Sequence, residues 1–234
     1  MFDVVILAGG LGTRLRSVVS DVPKCMAPVG GHPFLDWILR WTERFEVNHI
    51  ILSLGYMSHV VIEWIESERH SNSVPIDWVI EDSPLGTGGG IRLAMSKVCC
   101  ERTVVLNGDT FFDVDLNALC AFSRKSGSPI TVALKPMTSF DRYGSVTIDL
   151  NNRITSFNEK RYCEIGLING GIYCIDSSCD LLTDKPVKFS FEKEILEPLS
   201  EEGVLSGFVC DGTFIDIGIP EDWASAQTLI PASV

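Results

Sequence analysis

Hydrophobic positions along the chain follow two regimes. Apolar runs at 4–7, 49–54, 76–80 and 103–106 are short and bounded by turn residues, which reads as strands buried in a sheet. Between them the apolar spacing lengthens to a helical period. Pro33 opens one helix in which Phe34, Ile38, Trp41 and Phe45 share a face. Ser58 stands at the cap position of a second that carries Val61, Ile62 and Ile65, and a third covers 91–98. This alternation predicts a parallel sheet with right-handed crossovers. From Ile130 the period shortens to that of strands, at 130–134, 145–150, 154–157 and 167–175. A helix over 191–199, further strand up to Ile217 and a last helix from Pro220 complete the pattern. No repeat, low-complexity tract or linker divides the chain. The expectation is one α/β domain over 1–234: a Rossmann-like, mostly parallel sheet flanked by helices, with a β-rich second half from residue 129.

Two glycine-rich segments follow predicted strands. "LAGGLGTRL" (7–15) closes the first, and "SPLGTGGG" (83–90) reads as a turn after the third. The first lacks the third glycine of a dinucleotide fingerprint, since Gly10-Leu11-Gly12-Thr13-Arg14 runs on to Leu15. It also lacks the Lys-Ser or Lys-Thr of a P-loop. What remains is a turn with exposed N–H groups and a guanidinium inside it, a cradle for a phosphate chain. A plain βα turn with a solvated arginine is the alternative. Both segments, and the "NGD" at 107–109, fall at the carboxyl ends of predicted strands, where open α/β sheets bind ligands.

Composition narrows the partners. A net charge of −12 argues against nucleic acid and against an anionic membrane. Yet Arg14, Arg16 and Lys24 cluster where the only nearby acids are Asp3 and Asp21, which suits a small anionic substrate. The start of the chain has no basic segment of a signal peptide, and no apolar run reaches the roughly 18 residues of a membrane span. A cytoplasmic protein is expected. The eight cysteines are scattered without a C-x-x-C, and His32, His49, His59 and His70 form no ligand pair, so neither zinc nor a disulfide framework is expected.

Two acids interrupt this picture. Asp109 ends the fourth predicted strand, and Asp216 sits on an apolar strand in "FIDIGIPEDW". A charge on a buried strand is costly unless paired or metal-bound. Each alone reads better as a helix or turn cap; together, with a cationic loop in the chain, they suit Mg²⁺, which takes one or two carboxylates plus substrate phosphates.

The segments "LAGGLGTRL", "PKCMAPV", "LGTGG", "NGD", "FNEK", "NGGIY" and "DIGIPEDW", in this order, resemble the sugar-1-phosphate nucleotidylyltransferases over residues 2–228. The stretch 11–37 is most similar to the branch of heptose-1-phosphate guanylyltransferases, which make GDP-D-glycero-α-D-manno-heptose for surface polysaccharide. The resemblance implies the GT-A-like nucleotidyltransferase fold, with 1–128 mainly nucleotide-binding and 129–234 mainly sugar-phosphate-binding. It implies Mg²⁺ as cofactor, and an NTP, most readily GTP, and a sugar 1-phosphate as partners. Arg14, Lys24 and Asp109 would be catalytic, and Asp109 and Asp216 would hold the metal. Leu7, Ala8, Gly9, Gly10, Gly12, Thr13, Gly86 and Thr87 would contact the nucleotide. Asn107, Tyr143, Gly144, Glu159, Lys160 and Asn169 would contact the sugar phosphate.

Glu81, before the second glycine segment, is a candidate for reading guanine, because a carboxylate accepts the N1–H and N2–H₂ donors together; Asp82 is its neighbour and alternative. Cys25, Ile219 and Gly170 depart from the family pattern, where Pro, Thr and a slightly larger residue are usual, but no charged catalytic group is lost. An active enzyme is therefore expected, without the C-terminal hexapeptide β-helix of other branches. Rival readings are a uridylyl- or thymidylyltransferase acting on a hexose or N-acetylmuramate phosphate, and a non-catalytic nucleotide-sugar-binding subunit.

Overall fold

A computed structural model describes residues 1–10, 12, 14–15, 18–68 and 73–234, the side chains of Glu68 and Glu159 excepted. Of the residues discussed above, Leu11, Thr13, Arg16, His70 and the side chain of Glu159 lie outside the described residues. The first part of the chain forms β1 (Phe2–Ala8), β2 (Pro28–Val29), β3 (His32–Pro33), α1 (Phe34–Thr42), β4 (Val47–Leu54), α2 (Ser58–Glu68), β5 (Ile76–Ile80), α3 (Gly86–Met95), β6 (Arg102–Asn107), β7 (Thr110–Phe112) and α4 (Leu116–Ser126). There follow β8 (Ile130–Phe140), β9 (Gly144–Ile148), β10 (Ile154–Lys160), β11 (Cys163–Asp176), α5 (Glu197–Glu201), β12 (Ser206–Val209), β13 (Phe214–Asp216) and α6 (Pro220–Leu229).

Among the described residues nine strands share one sheet, in the order β10-β9-β11-β6-β1-β4-β5, with β8 joining β11 to β12. The β5-β4-β1-β6 portion is parallel. β11 then pairs antiparallel with β6, which turns the second half of the chain onto the edge of the first. Alternate residues of β1 explain its unbroken apolar run. Val4 and Ile6 enter one core with α1, α2, α4 and α6, whereas Val5 enters the opposite core with α3 and Ile195-Leu196. Among the described residues no helix is long and apolar enough to cross a membrane.

Four elements differ from the sequence reading. The glycines of 86–90 are not a turn: they form the first half of α3, which starts at Gly86 rather than Ile91. Phe189 fills the space that side chains on Gly86 and Gly88 would need, and Leu85 and the Val187 carbonyl occupy that at Gly89. α4 was not foreseen, although Asp115 caps it by accepting the Ala118 N–H at 2.9 Å and Gly127 closes it at φ +64°. The helix expected over 191–199 is present, but its first part is wound as a π-helix over Glu192–Leu196 before it runs into α5. Ser58 is the first helical residue of α2 rather than a residue outside it.

Candidate active site

β1 and β6 end side by side, with Leu7 opposite Asn107, and the segments that follow them open a cleft of about 300 Å³. Leu7, Ala8, Gly9 and Gly10 line one wall, Asn107 to Asp109 the next, and Glu81, Gly86 and Thr87 the far side. Gly108 donates its N–H to the Leu7 carbonyl at 3.0 Å, which locks the two strand ends together.

Lys24 enters the cleft from a single 3-10 turn, Lys24–Met26, anchored by the buried Cys25 and Met26. Burial pushes the Cys25 thiol up to about 12, so it stays protonated and serves as packing where the family pattern has proline. Gly12 makes the close approach possible: at φ +58° it needs no side chain, and a Cβ there would lie 2.9 Å from that of Lys24. The hairpin β2–β3 after Lys24 is tied down by α1 and α6. Trp37 Nε1 donates to the Val29 carbonyl at 2.8 Å, while Trp223 Nε1 and Gln227 Nε2 both donate to that of Pro28, at 2.9 and 3.0 Å.

The two acids meet because β7 and β13 pair antiparallel, Thr110 against Asp216, and Ile217 donates to the Asp109 carbonyl at 3.0 Å. Between them lies the Lys24 ammonium, 2.6 Å from Asp109 Oδ2 and 3.7 Å from Asp216 Oδ1. Gly218 N–H donates to Asp216 Oδ1 at 2.7 Å and orients that carboxyl. Burial raises the pKa of Asp216, and the charge of Asp109 pushes the same way, against the pull of Lys24. Two converging carboxylates with a lysine as their counter-charge form a hard oxygen donor set for a divalent cation. Among the described residues no group of three or more His, Cys, Asp and Glu side chains could hold a metal. The pair therefore fits Mg²⁺, whose remaining ligands are water and phosphate oxygens, and does not fit an all-protein cage. Arg14 is exposed, and its charge reaches Asp216.

Glu81 is held in place. Its Oε2 accepts the Leu85 N–H at 3.0 Å, Ser53 Oγ lies 3.4 Å from Oε1, and a Cβ on Gly9 would lie 3.0 Å from the same oxygen. Asp82 is exposed and lines no part of this cleft.

A second cleft, of about 320 Å³, is lined by Asp216 together with Tyr143, Phe214, Arg142 and Asp222. Tyr143 packs edge-on against Phe214 at 5.7 Å, and burial together with the charge of Asp216 pushes its phenol up to about 12. Gly144, Lys160 and Asn169 line neither cleft. Gly144 lies opposite Lys160 in the β9–β10 pairing, and Lys160 is exposed. Asn169 spends its amide inside β11, donating to the Tyr173 hydroxyl at 3.0 Å and accepting the Gly171 N–H at 2.9 Å.

Sequence reasoning missed Arg142, which forms a two-pronged pair with Asp222 beside Tyr143. Its place next to the Tyr-Gly pair was the available signal. It also missed Glu192, which carries no signal in its own neighbourhood.

A Rossmann-like sheet, a glycine turn at the end of its first strand, and one lysine between two strand-end aspartates define a phosphate-handling transferase site. The chain belongs to the nucleotidyl transferase family, whose sequence pattern matches residues 3–233. It is 43% identical over 228 residues to the D-glycero-alpha-D-manno-heptose 1-phosphate guanylyltransferase of Aneurinibacillus thermoaerophilus, a match covering 96% of each chain. To the protein of the same name from Campylobacter jejuni subsp. jejuni serotype O:2 it is 42% identical, over 94% of this chain and 96% of that one. Among solved structures, HddC from Yersinia pseudotuberculosis superposes with a TM-score of 0.85 at 39% identity, over 97% of this chain and 98% of that one. HddC has also been solved complexed with GMP-PN.

Proposed function

We propose that the chain transfers a guanylyl group from GTP to D-glycero-α-D-manno-heptose 1-phosphate, in the cytoplasm, to supply surface-polysaccharide synthesis. The observation that carries this reading is the meeting of Lys24, Asp109 and Asp216 beside the glycine turn, in a chain similar over nearly its whole length to heptose 1-phosphate guanylyltransferases. An oxygen of the sugar phosphate attacks the α-phosphorus of GTP in line. One O–P bond forms, the bond from the α-phosphorus to its bridging oxygen breaks, and pyrophosphate leaves with the electron pair. Such a transfer asks the protein for positioning and charge neutralisation rather than covalent chemistry.

Asp109 and Asp216 would hold Mg²⁺. When bound, the ion supplies Lewis-acid polarisation of the α-phosphate. Lys24 starts from the two carboxylates and is placed to donate to phosphate oxygens at the reacting centre. Arg14 takes the outer phosphates, and the backbone of Leu7 to Gly10, with Gly12, follows the nucleotide. Glu81, immobilised by Leu85 and Ser53, accepts the guanine edge; its buttressing and the exposure of Asp82 favour it over its neighbour. Tyr143 and Asn107, which line the two clefts, make the sugar-phosphate side. The test is the product: GTP, the heptose phosphate and Mg²⁺ should give a GDP-sugar by mass spectrometry and phosphorus NMR. A mixture from which only GDP and free phosphate accumulate would contradict the proposal.

A further inference from the structure

Residues 185–192 run as a strap along the outside of α3. Arg92, on that helix, donates to the carbonyls of Lys185 at 2.8 Å and Val187 at 3.2 Å, and its guanidinium lies 5.4 Å from the centre of the Phe189 ring. Phe189 donates its N–H to the Leu85 carbonyl at 3.0 Å and accepts that of Gly88 at 3.1 Å. Gly86 adopts φ +74° under the Phe189 carbonyl, so the start of α3 has little stiffness of its own.

The strap ends on Glu192. The Thr87 hydroxyl donates to Glu192 Oε2 at 2.7 Å, and the Ser190 hydroxyl donates to the same oxygen at 2.8 Å. The Thr87 oxygen in turn accepts the Phe191 N–H at 2.9 Å. Thr87 lines the cleft beside Gly86; Glu192 does not. The single proton of the Thr87 hydroxyl is thus committed to Glu192 and is not offered to a ligand. A carboxylate at the N-terminal turn of α3 is also favoured by the helix dipole.

The geometry points to Glu192 as a positioning residue of the nucleotide site: through the Thr87 hydroxyl, its carboxylate sets where the Gly86-Thr87 backbone stands against the bound nucleotide. This inference rests on the nucleotide reading of the cleft given above. Glu192 does not line the cleft, so its removal acts on nucleotide binding through Thr87 and not on the chemical step or the sugar phosphate.

The test is the dissociation constant of GTP with Mg²⁺, measured by calorimetry on the full chain without sugar phosphate. It is combined with turnover and melting temperature for Glu192→Ala, Glu192→Asp and Glu192→Gln. Alanine removes the acceptor and aspartate withdraws it by one methylene, so both should weaken GTP by about tenfold, the loss of one hydrogen bond to a charged acceptor. Glutamine keeps an acceptor oxygen at the right reach and should stay within about twofold of the parent. In all three, kcat at saturating GTP and KM for the sugar phosphate should be unchanged. Equal GTP affinity across the series, or a glutamine variant as weak as alanine, would overturn the assignment while leaving the nucleotide reading intact. A parent protein that binds no GTP would overturn the nucleotide reading itself, and this inference with it.

Discussion

Lys24 concentrates the account in one side chain. It is the cation that balances Asp109 and Asp216, and it lies against Gly12 of the glycine turn. Lys24→Ala should lower turnover by about 10²- to 10³-fold, as removal of one preorganised donor does, while the circular dichroism spectrum keeps its shape. A variant with full activity would show that the ammonium does not act on the phosphates. Glu81→Gln tests base choice. An amide offers one acceptor and one donor where guanine needs two acceptors, so kcat/KM for GTP should fall by about 10- to 100-fold. The preference over UTP, read as the ratio of the two kcat/KM values, should shrink with it; an unchanged ratio would assign the base contact elsewhere. Both residues were legible as candidates because each lies in a short local motif, Lys24 in a proline-punctuated turn and Glu81 directly after β5. Glu192 and the Arg142–Asp222 pair were not, because their partners lie far off in the chain and only the folded topology brings them together.

At the scale of elements, α3 shows where pattern reading stops. Gly86 to Gly90 look like a turn because glycine is the weakest helix former after proline. Here the residues are glycine because neighbours on two sides press on them: a Cβ on Gly88 would meet the Phe189 ring of the strap, and one on Gly90 would lie 2.9 Å from Glu81 Oε1. Two effects of Gly88→Ala therefore oppose each other. Helix propensity alone gains about 1 kcal/mol, while overpacking costs about 1–3 kcal/mol, so thermal denaturation should show a lower melting temperature. A raised melting temperature would mean that Phe189 moves aside freely. The first strands and α1 were legible for the opposite reason. Phe34, Ile38 and Trp41 are all buried on one face of α1, and Phe45, just beyond its end, meets Trp41 edge-on at 5.4 Å. The signals of α4, a capping Asp115 and a closing Gly127, lie in the sequence, where Leu116, Leu119 and Cys120 mark its buried face.

At the scale of the whole molecule, a buried carboxylate joins the start of β1 to β4 and to the segment before β6. Asp3 is fully buried at the start of β1. Burial alone would raise its pKa, but the Asn48 side chain and the N–H groups of Cys99 and Cys100 donate to it at 2.9, 2.6 and 2.8 Å and hold it below the usual carboxylate range. A depressed pKa contributes stability that is present above the ordinary carboxylate value and lost as the pH falls towards the folded one. Asp3→Asn should therefore cost about 1–3 kcal/mol near neutrality and flatten the loss of stability below about pH 4, as read by urea denaturation across pH. Equal pH profiles for parent and variant would assign the acid sensitivity to other carboxylates. The alternating first half and the strand-rich second were legible from period alone. The order of the strands was not, because the reversal of β11 against β6 rests on long-range pairing. The most direct measurement is pyrophosphate release with Mg²⁺ from GTP, UTP, dTTP, CTP and ATP, each paired with D-glycero-α-D-manno-heptose 1-phosphate and with mannose 1-phosphate. The account predicts release with GTP and the heptose phosphate well above every other pair; release led by another nucleotide, or none with any pair, would contradict it.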